Sequence, residues 1–280
     1  MQYERPREID QALVLLAQGN WTVLAGGTDF YPALQDRPPS GKILDVSALP
    51  DLRSIQEQDT HWRIDALVTW SDLIATDLPP AFDGLKLAAC EIGSIQIQNK
   101  ATLVGNICNA SPAADGVPPL LTLDAIVEIV SAQGTRQIPL QKFIHGNRQT
   151  DLQTGEMVSA ILIPTASGTG TSAFIKLGTR KFLVISIAMV AARLTANDNG
   201  EIVDAAISVG SCSAVAMRLG DLEQALFGAN ISNDLADLVE PAHLAELTPL
   251  DDARAPAVYR LGAATELVRR TINAAREQAK

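Results

Sequence analysis

Thr102-Leu-Val-Gly-Asn-Ile-Cys-Asn-Ala-Ser-Pro-Ala-Ala-Asp115 is the stretch on which the reading of this chain turns. Thr102, Gly105, Asn106, Asn109, Ala110 and Ser111 are small or carry short polar groups. Backbone of that composition can approach a ligand closely and offer hydrogen bonds to its oxygens. The stretch reads as a phosphate cradle. About 75 residues upstream, Ala25-Gly26-Gly27-Thr28-Asp29 follows the apolar run Trp21 to Leu24, which reads as a short strand. A glycine turn at a strand's end points successive N–H groups inward as an anion-binding nest. Two such nests suit a diphosphate held between them.

Outward from these loops the chain alternates short strands and helices. Asp10 to Gln18 has a helical apolar face stopped by Gly19-Asn20, and Lys42 to Val46 reads as a strand, so the opening 50 residues form a small β-α-β-type unit. Trp62 to Val68 alternates as a strand, with Ser71 as the expected N-cap of a helix over Asp72 to Thr76. Phe82 to Ile92 reads as a helix behind the second cradle and ends at Gly93; Ser94 to Lys100 then alternates apolar and polar residues into Thr102. A short helix from Pro118, paired strands over Ile126 to Val130 and Arg136 to Pro139, and a strand over Met157 to Ile163 follow. Thr165 to Thr171 marks a loop and a composition shift. Beyond it, Ser172 to Gly178, Ile185 to Thr195 and Ile202 to Val209 read as strands, the last two joined at Asn197-Asp-Asn-Gly200. Helices are expected at Asp221 to Leu226, Asp234 to Glu246 and Ala263 to Ala279.

Composition narrows the function. A formal charge of −10 over 280 residues argues against diffuse binding to nucleic acid or anionic lipid, so an anion has to be held by local dipoles. The N-terminus lacks a secretory pattern, and the longest apolar run, Phe182 to Ala192, is far short of the ~20 residues of a membrane span; the expectation is a soluble, cytoplasmic protein. Cys90, Cys108 and Cys212 share no short spacing, which speaks against an iron–sulfur or zinc site on this chain. The three histidines show no metal-ligand spacing. Neither loop carries the signature of a Rossmann turn or a P-loop, and no nucleophile elbow supports hydrolysis. Asp115 reads either as a turn residue or as an acceptor for ribose hydroxyls. Lys176 lies in the apolar run Ala-Phe-Ile-Lys-Leu, so it either faces solvent or has a buried partner.

Taken together the two loops resemble those of the FAD-binding medium subunit of the molybdenum hydroxylases, the relatives of xanthine dehydrogenase and carbon monoxide dehydrogenase. The likeness continues through Phe143-Ile-His-Gly-Asn-Arg-Gln-Thr150, Glu156 to Pro164 and Phe174-Ile-Lys-Leu-Gly-Thr-Arg-Lys181, spanning almost the whole chain. It implies an α+β fold of the vanillyl-alcohol-oxidase (PCMH) type. Two N-terminal α+β subdomains, 1–57 and 58–168, would clasp FAD, and a C-terminal α+β domain, 169–280, with a three-stranded sheet plus helices, would close over it. By the same likeness Ala25, Gly26, Gly27, Thr28 and Asp29, with Thr102, Gly105 and Asn106, hold the pyrophosphate through N–H groups. Asn109 and Ser111 add side-chain bonds, Asp115 meets the ribose side, and Ile92, Val158 and Lys176 line the site. A lysine beside the flavin would favour its reduced, anionic form.

The sequence departs from the family pattern at Val104, where a second glycine is usual, and at Gln98, Lys100 and Ala101. These changes bear on cofactor affinity more than on the fold. The resemblance further implies an electron-transfer role with no general acid or base. A small subunit with two [2Fe–2S] clusters delivers electrons from a molybdopterin-binding large subunit, and FAD passes them to NAD⁺, oxygen, a quinone or another acceptor. The expected assembly is a dimer of heterotrimers. A stand-alone FAD oxidoreductase of the same fold and a scaffold subunit that has lost FAD are the rival readings.

Overall fold

The computed structural model describes residues 1–279. Its first unit contains β1 (Gln2–Glu4), α1 (Ile9–Ala17), β2 (Trp21–Leu24), α2 (Phe30–Leu34) and β3 (Lys42–Asp45). The three strands form a parallel sheet in the order β1-β3-β2. α1 buries Ala12 and Leu16 in one cluster with Leu44, Val46 and Leu49. It ends where Gly19 and Asn20 both take positive φ, as that dipeptide dictates. The chain therefore leaves β2 at the sheet's open edge and enters the first glycine loop.

The second unit begins with β4 (Ile55–Glu57) and β5 (His61–Asp65), then runs through α3 (Trp70–Ala75), α4 (Asp83–Glu91), α5 (Ile95–Gln98), α6 (Leu103–Asn109) and α7 (Val117–Thr122). It returns as β6 (Ile126–Ser131), β7 (Gly134–Pro139), α8 (Leu140–Phe143), β8 (Ile144–Gly146), β9 (Gln149–Thr150) and β10 (Met157–Pro164). The five-stranded antiparallel sheet has the order β4-β5-β10-β6-β7. β10 is central and buried along Met157 to Ile163, which is why its sequence is apolar without alternation. Trp70, Leu73, Phe82, Leu85, Leu103, Ile107, Leu120 and Ile161 share the main core.

The third unit is a four-stranded antiparallel sheet, β11 (Thr171–Leu177), β12 (Ala188–Ala196), β13 (Ile202–Gly210) and the short β14 (Met217–Arg218), covered by α9 (Gly220–Leu226) and α10 (Ala257–Gln278). β14 adds a strand to the three expected. α10 packs Ala264, Val268, Ile272 and Ala275 on the sheet's inner face. Polar groups sew this unit to the second. Ser172 accepts from the Gly84 amide and donates to the Ala81 carbonyl, each at 2.8 Å. The buried Arg193 donates to the Thr122 carbonyl at 2.7 Å and pairs with Asp204 at 2.7 Å. An unpaired buried guanidinium would be costly, so these partners fix the seam.

Several local expectations change. The N-cap of α3 is Thr69, not Ser71; its hydroxyl accepts from the Asp72 amide while Asp72 accepts from the Thr69 amide, a full capping box. Ser94 to Lys100, whose alternation assigned it no element, contains α5, with the Ser94 and Ile95 carbonyls taking the amides of Gln98 and Asn99. The cradle itself is mostly the helix α6, with Thr102 as its N-cap. Asp234 to Glu246 forms two single 3₁₀ turns, Leu235–Leu238 and Pro241–Leu244, since Pro241 cannot continue a helix. β12 starts three residues later than expected, and α10 starts six residues earlier, directly after Pro256.

Candidate functional site

The two glycine-containing loops are in direct contact. A Cβ on Gly26 would lie 1.9 Å from the Lys100 carbonyl oxygen and 3.1 Å from the Ala101 Cα, so only glycine fits there. Gly27 takes φ +73, which an L side chain resists, and turns the chain into α2. Among the described residues, the N–H groups of Gly26, Gly27, Thr28 and Asp29 meet no protein acceptor. Four successive unpaired amides are an anion nest, since backbone donors rarely go unsatisfied without an external partner.

Opposite the nest stands the first turn of α6. The Thr102 hydroxyl accepts from the Gly105 amide at 2.9 Å, and the Leu103 amide donates to the Val68 carbonyl at 3.1 Å. That arrangement corrects the expected role of Gly105: its N–H is committed to the cap. Its lack of a side chain still matters, because a Cβ would press on the Thr102 hydroxyl at 2.8 Å. Asn106 borders the cleft, while its Oδ1 is buried near Gly116 with no hydrogen-bond partner. Val104 turns into the core beside Leu103 and Ile107 while bordering the same cavity.

Between the loops runs a cleft of about 740 Å³. Eleven of the expected residues border it: Ala25 to Asp29 on one side, Thr102, Gly105, Asn106 and Asn109 on the other, with Ile92 and Val158. The remaining three do not. Ser111 accepts from the Ala113 amide at 3.2 Å within its own turn. Asp115 and Lys176 form a buried ion pair at 2.7 Å behind the wall, and the Ser186 hydroxyl donates to the other carboxylate oxygen of Asp115. Burial pushes the Asp115 carboxyl up from its ordinary value, against the pull of Lys176 and Ser186. Lys176 is thus the partnered lysine of the two alternatives. Its charge is matched by Asp115 inside the protein, so the side chain is not a free cation beside a ligand.

Among the other residues that border the cleft, four matter to its chemistry and were given no site role from the sequence. Ile185 reaches it from the third unit, on an apolar loop whose Phe182 and Leu183 are exposed. Cys108 faces it from α6, and burial pushes its thiol up to about 12, so it is a neutral wall group. Glu156 accepts from the Nε and Nη2 of Arg136, each at 2.7 Å, which lowers its carboxyl pKa; the Arg136 Nη1 donates to Asp151. Arg148, in the β8–β9 turn, donates to the Asn109 side chain at 3.0 Å. Only the Gly146-Asn-Arg148 turn residues hinted at it, and a turn gives no direction for a side chain.

A cavity of this size, bordered by an amide nest and by apolar side chains such as Ile92, Ile97, Leu152 and Val158, suits a dinucleotide's chemistry, a diphosphate joined to ring systems. The donors and acceptors present fit FAD. Comparison with known proteins agrees. Residues 1–166 match the FAD-binding domain of molybdopterin dehydrogenases, and residues 173–275 match the CO dehydrogenase flavoprotein C-terminal domain. The nicotinate dehydrogenase FAD-subunit of Eubacterium barkeri is 28% identical over 263 residues, covering 91% of this chain and 89% of that one. The xanthine dehydrogenase FAD-binding subunit of Escherichia coli O157:H7 is 29% identical over 278 residues, covering 98% and 95%. Among solved structures, reconstituted CO dehydrogenase from Oligotropha carboxidovorans superposes with a TM-score of 0.91 at 27% identity, over 100% of this chain and 98% of that one.

Fold and cleft together define an FAD-binding oxidoreductase subunit with the PCMH-type architecture. More narrowly, the chain belongs to the family of FAD-binding medium subunits of the molybdenum hydroxylases. No helix among the described residues is long and apolar enough to cross a membrane.

Proposed function

We propose that this chain is the electron-transfer subunit of a cytoplasmic molybdenum hydroxylase, built as three units, the first ending before β4 rather than at the expected residue 57, the second running to 168 and the third over 169–280. It receives electrons from [2Fe–2S] clusters on a small partner subunit and delivers them to NAD⁺, oxygen, a quinone or another acceptor. A molybdopterin-binding large subunit transforms the organic substrate, and the assembly is a dimer of heterotrimers. The observation that carries the reading is the row of unpaired amides from Gly26 to Asp29, fixed against Lys100 and facing the α6 N-cap.

FAD, when bound, supplies the redox chemistry; the protein supplies binding, orientation and electrostatics. The Gly26 to Asp29 amides bind the diphosphate, with the first turn of α6 opposite. Asn106 borders the cleft beside it, and Asn109 adds a side-chain bond through its amide nitrogen while its oxygen holds Arg148. Ile92 and Val158 give the apolar walls that exclude water. Asp115 and Lys176 act from behind: pinned to each other and to Ser186, they hold the end of the 178–186 loop and so set where Ile185 stands. None of the cleft's carboxylates is poised as a general base, since Glu156 is bonded to Arg136 and Asp29 is exposed. A pure electron carrier needs none.

The test is the visible spectrum of the full-length chain before and after incubation with FAD and desalting, followed by co-expression with the adjoining subunits and native mass spectrometry. Retained flavin without turnover of any organic donor, and a six-chain complex, are the expected results. Turnover by the isolated chain would sink the subunit reading, and no flavin in either preparation would sink the cofactor reading.

A further inference from the structure

Arg148 sits in the tight turn between β8 and β9 with φ +56, a left-handed conformation that arginine adopts under constraint. Two bonds impose it. The Arg148 amide donates to the Ala110 carbonyl at 2.9 Å, and one guanidinium nitrogen donates to the Asn109 Oδ1 at 3.0 Å. Both anchors lie at the C-terminal end of α6, the helix whose other end faces the amide nest. The turn is therefore held in place on a wall of the cleft.

Arg148 is the one lysine or arginine among the residues bordering the cleft. Among the described residues it has no carboxylate within ion-pairing distance, whereas nearby Arg136 is engaged by Asp151 and Glu156. Only one of its five N–H donors is used. In a chain of net charge −10 an exposed, unpaired guanidinium bordering the binding cleft stands out electrostatically, and the cofactor assigned to that cleft carries a permanent diphosphate charge.

We propose that Arg148 is the counter-charge for the cofactor's diphosphate, so that the cleft selects a phosphorylated flavin over the uncharged riboflavin. The inference rests on the FAD reading above. Guanidinium is suited to this task because it stays charged and bonds phosphate oxygens through several donors at once. Asn109 then has a positioning role: its side-chain oxygen holds the guanidinium in the cleft until the phosphate takes the free donors.

The test titrates the full-length wild type, R148Q and R148K with FAD and with riboflavin, by flavin fluorescence, at low and high salt. R148Q should weaken FAD about tenfold or more and leave riboflavin within twofold. R148K, which keeps the charge, should recover most of the FAD affinity. Salt should weaken FAD binding by the wild type and R148K more steeply than by R148Q. This comparison discriminates even if riboflavin binds too weakly to titrate. Equal losses for FAD and riboflavin with an unchanged salt response would mean that Arg148 only braces α6, and unchanged FAD affinity in R148Q would remove it from the site; either overturns the proposal. Failure of the wild type to bind FAD would instead overturn the cofactor reading itself.

Discussion

Substituting Gly26 by alanine tests the link between backbone geometry and cofactor binding. The new methyl group would stand 1.9 Å from the Lys100 carbonyl oxygen and 2.6 Å from its carbon, both rigid backbone atoms. Ordinary contact begins at 3.4 Å, so one loop must withdraw by about 1.5 Å. Overpacking of this kind costs about 1–3 kcal/mol in the folded chain. Cofactor binding suffers further, because a withdrawal of that size breaks the alignment of the nest. Hydrogen bonds to a charged group are worth about 1.5–3 kcal/mol each. Losing even two of four gives about 3–6 kcal/mol, a fall in FAD affinity of more than a hundredfold. The assay is FAD titration of G26A by fluorescence, with thermal unfolding of the apoprotein alongside. Gly262 provides the control: it lies in α10 with nothing near its would-be Cβ, so G262A should be neutral or stabilising by up to about 1 kcal/mol and should bind FAD normally. G26A binding FAD within threefold of the wild type would refute the reasoning.

Three further outcomes are expected. Lys176→Met leaves the buried Asp115 carboxylate unpaired and should cost about 3–5 kcal/mol by urea denaturation, with K176M/D115N recovering more than half; additive single-variant losses would show that the two do not act as a pair. At the α3 cap, Asp72 works against its burial, but its bonds to Arg53 and Thr69 bring its carboxyl below the ordinary 3.8. Its stabilisation is therefore complete above that value and is lost as pH falls through the lower folded pKa, so between about pH 5 and pH 2 the wild type should lose more stability than D72N. A maleimide at neutral pH should label the exposed Cys90 and leave Cys108, whose thiol is held up at about 12, which peptide mapping by mass spectrometry would check.

The parts of the fold that were legible share one cause: their signal was local. Gly19-Asn20 ends α1, Gly200 closes the β12–β13 hairpin, and the apolar run of β10 gives a central strand, each from residues adjacent in sequence. The two loops that border the cleft were legible for the same reason. What failed depended on side-chain partners that the pattern of residue types does not name, some nearby and some far along the chain. The alternation of Ser94 to Lys100 named no element; the segment coils, and Gln98 is drawn inward to donate to the Cys90 and Ile92 carbonyls. Ser71 and Thr69 are both plausible caps, and only the reciprocal bond to Asp72 chooses between them. Asp115, Lys176 and Ser186 come from two units, separated by 61 and 71 positions, so no spacing rule could reveal that they satisfy one another. Arg148 was hidden in a turn whose direction is set by Ala110 and Asn109, nearly 40 residues earlier.

The contact between Gly26 and the Lys100 carbonyl also limits how this protein can change over generations. Residue 26 is confined to glycine only while the backbone at 100–101 stays where it is. Variation in either loop is therefore conditional on the other, and the two behave as one heritable unit despite the distance between them in the gene. A library randomising positions 25–29 alone should return glycine at 26 in every folded, flavin-binding clone. Randomising 98–102 in the same library is what would admit another residue there.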